Sequence, residues 1–182
     1  MKRLIFEFSI FLLIGISAIA QPLKVQSTTD GSAATYRLVH PLHHMEATSK
    51  DVMFRAEIDP TKKEIMSVSA QVDVTTFDSG NSNRDSHAME VIDAISYPDV
   101  SFSGTTITQT GDSLNVAGKL TFHGVTNNVV AVVTPRWSQN RLDVEGGFPL
   151  SLTAFKIERP SLLMIPVNDT LRFTLKAAFE WK

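Results

Sequence analysis

Histidine is the residue type in this sequence that could most readily support chemistry. Three of the five histidines, His40, His43 and His44, lie close together, and the others are His87 and His123. Short histidine-rich tracts can bind metal, and on a strand His40 and His44 would share a face. With His87 or His123 they would match the three protein ligands of many catalytic zinc sites. The sequence has no His-Glu-x-x-His signature, so we predict no metal or other cofactor and keep a histidine-based metal site as an alternative.

The serines do not indicate catalysis. The sequence has no Gly-x-Ser-x-Gly motif and no cysteine, so it offers neither a hydrolase nucleophile elbow nor a thiol nucleophile. Ser86 directly precedes His87, but a nucleophile and its base also need the right orientation and a third group. Ser82, Ser86 and Ser96 fit better as residues near the two ends of a helix. We therefore predict that the protein is not an enzyme and has no catalytic residues.

The start of the chain has the pattern of a targeting segment. The basic pair Lys2-Arg3 precedes an apolar run from Leu4 to Ile19, which ends in a small-residue cleavage site at Ala18-Ile19-Ala20. This pattern predicts a secretory signal peptide over residues 1–20. A membrane anchor is the alternative, although the run is short for a bilayer span of about 20 residues.

Charge and cysteine content narrow the class of protein further. The net charge of −2 at pH 7 argues against a nucleic-acid partner, which requires a concentrated positive surface. The absence of cysteine excludes disulfides and a thioether lipid anchor. For a chain predicted to be exported, this suits a bacterial periplasm, so we expect a single periplasmic domain over residues 21–182.

One short helix is predicted at about residues 84–95. Ser82-x-x-Asp85 matches a capping box, in which two side chains satisfy free backbone N–H groups at a helix start. Tyr97-Pro98 predicts the end, because proline disfavours helical geometry in the residue before it. Apolar residues occupy the i, i+3, i+4, i+7 positions of one helical face, at Ala88, Val91, Ile92 and Ile95. This apolar face must cover another part of the molecule.

Most of the remaining chain alternates between apolar and polar residues, as strands do. The alternation is clearest over Ile65–Val74, Leu114–Phe122 and Leu171–Trp181. Gly118, inside one apolar row, predicts a bend or a place where a ligand approaches the backbone. The segment Val129–Thr134 is apolar on both faces, which predicts a central or a covered strand. About eight strands in meander order indicate a sandwich or a closed barrel.

The interior of such a barrel would be strongly apolar. Eleven phenylalanines stand against two tyrosines and two tryptophans, so few buried rings could form hydrogen bonds. A barrel of about eight strands has room for side chains or for one small ligand. Burial of each CH₂ of a lipid in such a space would contribute about 0.8 kcal/mol. A solid core needs the same residues, so composition leaves a filled interior and a lipid pocket as alternatives.

Five short motifs, in this order, resemble the YceI-like family over about residues 35–181. The motifs are Asp73-Val74-x-x-Phe77-Asp78-Ser79-Gly80, Asn83-Arg84-Asp85-x-His87, Tyr97-Pro98-x-x-x-Phe102, Gly118-Lys119-Leu120-Thr121 and Phe122-His123-Gly124-Val125-Thr126. The resemblance implies an extended, antiparallel, lipocalin-like β-barrel of eight strands with one short helix. It also implies a periplasmic, non-catalytic protein that holds a polyisoprenoid or a fatty-acid derivative in an elongated apolar tunnel. Ala88 departs from the family, which usually has a bulky residue after the histidine of the second motif.

Residue roles follow from this resemblance together with the alternation. Tunnel-lining residues are predicted at Val72, Val74, Met89, Ile92, Leu114, Val116, Leu120, Phe122, Phe155, Leu163, Phe173, Leu175 and Phe179. Arg84 and His87 are predicted as head-group contacts, although Arg84 and Asp85 fit better as anchors of the helix start. The apolar segment 155–167 is predicted to form a second wall or a lid.

Partners other than the lipid stay open at this point. The resemblance allows transient contact with a membrane and pairing into a homodimer, but the sequence shows no clear dimer patch. The main alternative function is a β-barrel interaction or stress-related protein with a filled core.

Overall fold

The computed structural model describes residues 21–182, and the predicted signal peptide, residues 1–20, lies outside them. The chain forms one curled antiparallel sheet, one α-helix, two 3₁₀ turns and a small separate hairpin. The sheet strands are Leu23–Gln26 (β1), Ala33–His40 (β2), His43–Ser49 (β3), Met53–Asp59 (β4), Glu64–Asp73 (β5), Asp99–Thr110 (β6), Ser113–Phe122 (β7), Val125–Ser138 (β8), Arg141–Ser151 (β9) and Thr170–Glu180 (β12). The other elements are the 3₁₀ turns Val74–Thr76 and Thr153–Phe155, the helix α1 (Ser82–Val91), and the hairpin Ser161–Leu162 (β10) with Ile165–Pro166 (β11).

The sheet curls until its two edge strands contact other parts of the chain. Its order is β1-β4-β5-β6-β7-β8-β9-β12-β2-β3. At one edge, Ser27, just after β1, bridges to Phe179 of β12. At the other, Thr48 of β3 and Asp78 exchange two backbone hydrogen bonds of 2.9 and 3.1 Å. Such contacts leave few unpaired edge groups, and the predicted fold class, a mainly β antiparallel barrel with one short helix, is confirmed.

The strand count differs from the predicted eight, because the sheet has ten strands. One strand that the sequence patterns did not indicate is β1, which has four residues and only one buried side chain, Val25. Residues 23–26 pair with residues 55–58 of β4. A segment this short has no readable periodicity, so its conformation comes from its partner strand.

The last strand follows its predicted alternation closely. Arg172, Thr174 and Lys176 are exposed, whereas Leu171 and Ala177 are buried. The prediction that residues 129–134 form a central or covered strand is confirmed in its first form, because β8 lies in the middle of the sheet. The alternative of a strand covered on both faces is wrong. Val130 and Val132 lie on the outer face and are each 50% exposed. The alternate residues Val129, Ala131 and Val133 face the core.

The helix begins earlier and ends earlier than predicted. Its N-cap is Asn81, whose side chain accepts a hydrogen bond from the Arg84 N–H, and Ser82 is already helical. Its end is set by Asp93, whose left-handed backbone (φ 46°) stops the helix well before Tyr97-Pro98. Ile95 therefore lies beyond the helix and is 98% exposed. Within residues 21–182, no helix has the length and apolarity needed to cross a bilayer.

Candidate functional site

The curled sheet encloses two apolar cavities. The smaller, here called the lower cavity, has a volume of about 110 Å³ and lies among β4 to β9 and β12. The larger, here called the upper cavity, has a volume of about 300 Å³ and has α1 as one wall. The upper cavity alone reaches the lower end of the range for small-molecule pockets, about 300 to 1,000 Å³. The interior is therefore not completely filled by the protein's own side chains.

The two cavities meet at a constriction. Val100, Phe122 and Phe173 line both of them. The Phe173 ring stacks on Phe148 with centroids 5.3 Å apart, and its edge faces Tyr36 at 6.4 Å. Aromatic side chains thus lie between two spaces that share part of their wall, and the two cavities together are here called the hollow.

Polar side chains concentrate at the helix end of this hollow. Arg84 lines the upper cavity, and its guanidinium donates hydrogen bonds from Nε to Ser79 Oγ (2.9 Å) and from Nη2 to Ser79 O (3.1 Å). The Asp85 carboxylate accepts from the Ser79 N–H at 3.2 Å. Both side chains thus anchor the helix start, as one of the two sequence interpretations expected.

Tyr36 adds a neutral hydroxyl to the upper cavity. Burial raises the pKa of Tyr36 above its usual value, and the negative charge of Asp85 raises this pKa further, while the positive charge of Arg84 opposes the shift. The phenol therefore stays protonated and can donate a hydrogen bond at neutral pH. Tyr36 and Arg84 together supply hydrogen-bond donors at one end of an otherwise apolar space.

Three histidines also line the upper cavity: His40, His43 and His87. His40 is buried, and both of its ring nitrogens are engaged. Its Nδ1 accepts from the Leu42 N–H at 3.1 Å, and its Nε2 lies 2.9 Å from Ile165 O, so Nε2 carries the proton. His43 packs on His40 with ring centroids 5.0 Å apart. Since both nitrogens of His40 are used, this residue joins the β2–β3 turn to β11.

The remaining histidine contacts do not assemble a metal site. His87 Nδ1 lies 3.5 Å from Glu90 at the exposed surface of the helix. His123 is held by a 3.0 Å contact of its Nδ1 with Phe155 O, and its ring packs on Tyr97. Among residues 21–182, no group of three histidine, aspartate or glutamate side chains is arranged to hold a metal ion. The histidine-based alternative therefore has no geometric support in this part of the chain.

Most of the predicted lining residues lie on one of the two cavities. Those on the lower cavity are Val72, Val116, Leu120, Phe122, Phe173, Leu175 and Phe179. Those on the upper cavity are Val74, Met89, Ile92, Phe122 and Phe173, with the predicted head-group residues Arg84 and His87. Leu114 and Phe155 line neither cavity, and Leu163 lies at an exposed hairpin tip. Contact of any of them with a ligand stays a prediction.

Sequence reasoning missed several residues of the upper cavity. Ala34, Tyr36, Leu38 and His40 alternate along β2, and the last three line the upper cavity. Phe77, in the loop before α1, lines it as well. The period-two pattern of β2 could have identified the strand residues. Phe77 belongs to the first family motif, but it lies in a loop, where no periodicity shows which way a side chain faces.

Gly118 does not provide a place where a ligand reaches the backbone. A Cβ atom at Gly118 would lie 2.6 Å from Phe102 Cζ and 2.4 Å from Ser103 O. The ring of Phe102 therefore covers this glycine. The protein itself fills the space where the sequence analysis allowed a ligand, whereas the alternative of a bend agrees with the strand irregularity between Gly104 and Thr106, opposite Gly118.

The predicted wall or lid over residues 155–167 consists of two different parts. Phe155 and Ile157 are buried in the core beside the upper cavity. Pro160, Ser161 and Leu162 line that cavity. The segment thus forms part of the wall and then projects outward as the β10–β11 hairpin.

A curled antiparallel sheet that surrounds an apolar hollow, with donors at one end, defines a binding barrel of the lipocalin-like class. The chain belongs to the YceI-like domain family, whose model matches residues 26–179.

Curated relatives cover most of the chain. A UPF0312 protein of Pseudomonas putida is 27% identical over 159 residues, which cover 82% of this chain and 83% of the relative. Protein YceI of Escherichia coli O157:H7 is 24% identical over 151 residues, covering 78% and 79% of the two chains.

Solved structures show the same fold. The crystal structure of Burkholderia cenocepacia BcnA has a TM-score of 0.75 at 22% identity, and the match covers 84% of this chain and 98% of that one. A polyisoprenoid binding domain from Saccharophagus degradans, implicated in plant cell wall breakdown, has a TM-score of 0.63 at 10% identity. That match covers 89% of this chain and 100% of the domain.

Proposed function

We propose that this protein is an exported, non-catalytic binding protein that holds a long-chain amphiphile, a polyisoprenoid or a fatty-acid derivative, in its apolar hollow. The observation that carries the proposal is the pair of adjacent apolar cavities, which share Val100, Phe122 and Phe173 and have most of their exposed polar surface in the upper cavity. A single flexible chain fits such a shape, because burial of each CH₂ contributes about 0.8 kcal/mol. The fold neighbour that is a polyisoprenoid binding domain supports the same class of ligand.

The polarity of the hollow orients the ligand. The hydrocarbon tail extends through the constriction toward the lower cavity, and the head group lies beneath α1. Two of the five N–H donors of Arg84 bond to Ser79, which leaves others for an acidic head group. A carboxylate or phosphate would accept from Arg84 and from the neutral Tyr36 hydroxyl.

Mass spectrometry of an organic extract of natively purified protein tests the proposal. A bound acyl or isoprenoid species is the expected result. Leu175→Glu, which places a charge beside the lower cavity, should lose the ligand while still folding. Thr174→Glu is the matched control, since Thr174 is the exposed neighbour on the same strand. Empty extracts, together with no uptake of added lipid, would contradict the proposal and favour the filled interior.

The head-group assignment has its own test. Arg84→Gln should weaken binding of a long-chain fatty acid about tenfold or more, since a hydrogen bond to a charged group contributes about 1.5–3 kcal/mol. Binding of the corresponding alcohol should change little. The control Arg172→Gln removes an exposed positive charge from the outer face of β12. An equal loss for acid and alcohol would show that Arg84 acts only as an anchor of the helix.

Export to the periplasm is part of the proposal and rests on the sequence pattern of residues 1–20. Cell fractionation should place the full-length protein in the periplasm and a variant without residues 2–20 in the cytoplasm. Equal distribution of both proteins would contradict it.

A further inference from the structure

The hairpin β10–β11 exposes an apolar tip. Leu163 and Met164 form the two-residue turn and are 74% and 96% exposed. Leu162 and Ile165, which pair with each other directly below the turn, are also exposed. Single exposed apolar residues are ordinary on protein surfaces, but four consecutive ones on a projection are not. This apolar tip, Leu162 to Ile165, has no partner among the protein's own core residues.

The residues of the tip are poorly suited to the turn they form. Leu163 has φ of 52° and Met164 has φ of 64°, so the turn requires a left-handed backbone at both central positions. Asn-Gly is strongly preferred in such a turn, because other residues meet steric strain there. The chain instead has two large apolar side chains at these positions. Their presence points to a role for the side chains outside the fold.

The tip is fixed at the rim of the upper cavity. Pro160, Ser161 and Leu162 line that cavity. The base of the hairpin is held by hydrogen bonds from the Val167 N–H to Pro160 O (2.9 Å) and from Arg159 Nε to Val167 O (2.8 Å). These contacts give the projection a defined position beside the cavity.

A third exposed leucine lies near the apolar tip. His40 joins Ile165 O to the β2–β3 turn, and that turn carries Leu42, which is exposed. The segment 160–167 has no charged residue, and residues 39–45 have no carboxylate. These two segments of the rim therefore combine projecting apolar side chains with an absence of acidic residues, whereas the acidic Glu90 lies on the helix wall beside His87.

We propose that the apolar tip and Leu42 dock the protein onto a lipid bilayer and insert into its headgroup–acyl boundary. A convex, uncharged, apolar projection suits a deformable hydrocarbon surface, which provides burial without a complementary groove. Docking there presents the rim of the upper cavity to the membrane, so that an amphiphile can pass between bilayer and barrel. Passage of a ligand rests on the proposed function, whereas bilayer docking does not.

Flotation with vesicles of phosphatidylethanolamine and phosphatidylglycerol tests the docking. The double variant Leu163→Asn with Met164→Gly removes the apolar tip and installs the preferred turn sequence, so its fold should be at least as stable as that of the wild type. Loss of two apolar side chains should weaken vesicle partitioning at least about tenfold. The control Val130→Thr with Val132→Thr removes two exposed apolar side chains from the outer sheet face and should float like the wild type.

Several outcomes would overturn the docking proposal. These are a wild-type protein that does not float, a tip variant that floats as well as the wild type, or a control variant that loses flotation equally. A wild-type dimer that dissociates in the tip variant, without vesicle binding by either, would assign the surface to self-association instead.

Ligand uptake separates this proposal from the proposed function. The tip variant should take up a fatty acid added from ethanol as the wild type does, but should accept it from vesicles more slowly. Flotation without any lipid uptake would leave docking supported and refute the proposed function. Uptake of the fatty acid from ethanol without flotation would support the proposed function and refute docking.

Discussion

Phe173 is the residue on which the shape of the hollow depends most. It lines both cavities and contacts Phe148, Phe77 and Tyr36 through its ring. On the same face of β12, Leu171 and Ala177 are buried, whereas Phe173 and Leu175 are only half-buried. A large apolar side chain with free space beside it separates two compartments rather than filling one.

Replacing Phe173 with alanine should join the cavities. Removal of the ring should lower the free energy of unfolding by about 3 kcal/mol, the lower end of the range for Phe→Ala. It should also shift the preferred ligand toward longer chains, which competition between fatty acids of different length would measure.

A matched variant separates the cavity effect from simple destabilisation. Phe155 is also a core phenylalanine, but it is buried and lines neither cavity. Phe155→Ala should destabilise the fold without altering the chain-length preference. If the preference does not change in Phe173→Ala, the constriction does not limit the ligand.

At the scale of elements, the 3₁₀ turn Thr153–Phe155 positions the chain that leads to the hairpin. Asp169, just before β12, holds this turn in place. Its carboxylate accepts from the Ser151 hydroxyl and from the Thr153 N–H (2.9 Å), and its carbonyl accepts from the Leu152 N–H (2.8 Å). One residue thus ties the end of β9 to the start of β12.

These bonds make a pH-dependent contribution to stability. The Ser151 hydroxyl, followed by the Thr153 N–H, lowers the pKa of Asp169 below its usual value of 3.8. Because the pKa of Asp169 is lower in the folded than in the unfolded state, the ionised carboxylate stabilises the fold. This stabilisation is complete above the pKa of the unfolded state and is lost as the pH falls through the pKa of the folded state. Asp169→Asn should therefore be less stable than the wild type by a constant amount, below about 1 kcal/mol, between about pH 5 and 8.

The difference in free energy of unfolding between the wild type and Asp169→Asn should decrease toward zero as the pH falls below about 4. Urea unfolding of both proteins across this range measures it. Ser151→Ala removes the first of the two donors. It should lower the free energy of unfolding less in the Asp169→Asn variant than in the wild type. A difference that is constant down to pH 2 would show that the charge of Asp169 contributes nothing.

For the whole molecule, a hollow core means that ligand and fold are linked. Apolar side chains that line a cavity lack contact partners on one side, so the empty barrel forgoes part of its packing energy. A ligand that fills the hollow restores these contacts and binds only the folded state. A bound ligand should therefore contribute part of the free energy of unfolding of the natively purified protein.

Removal of bound lipid should lower the melting temperature. A ligand at a hundred times its Kd contributes about 2.7 kcal/mol, which corresponds to a shift of about 5–10 °C for a domain of this size. Calorimetry of native, lipid-extracted and reloaded protein measures the shift, and reloading should reverse it. An equal melting temperature in all three samples would mean that the interior is already complete without a ligand.

Much of this architecture could be predicted from local patterns. The alternation of β12 identified its buried face, and the capping and apolar spacing near residue 84 identified the single helix. The helix boundaries shifted because Asn81 caps the start and Asp93 adopts a left-handed backbone. Several polar side chains can cap a helix equally well, and tertiary contacts select among them.

The sequence by itself determined that the chain is an antiparallel β-protein with an apolar interior and one short helix, because side-chain periodicity and composition are local properties. Only the tertiary structure decided which inward residues surround space and which fill it. Phe102 covers Gly118, Phe155 is buried, and Phe173 divides a hollow. Periodicity shows which side of a sheet a residue faces, whereas an empty volume depends on what distant strands place opposite it.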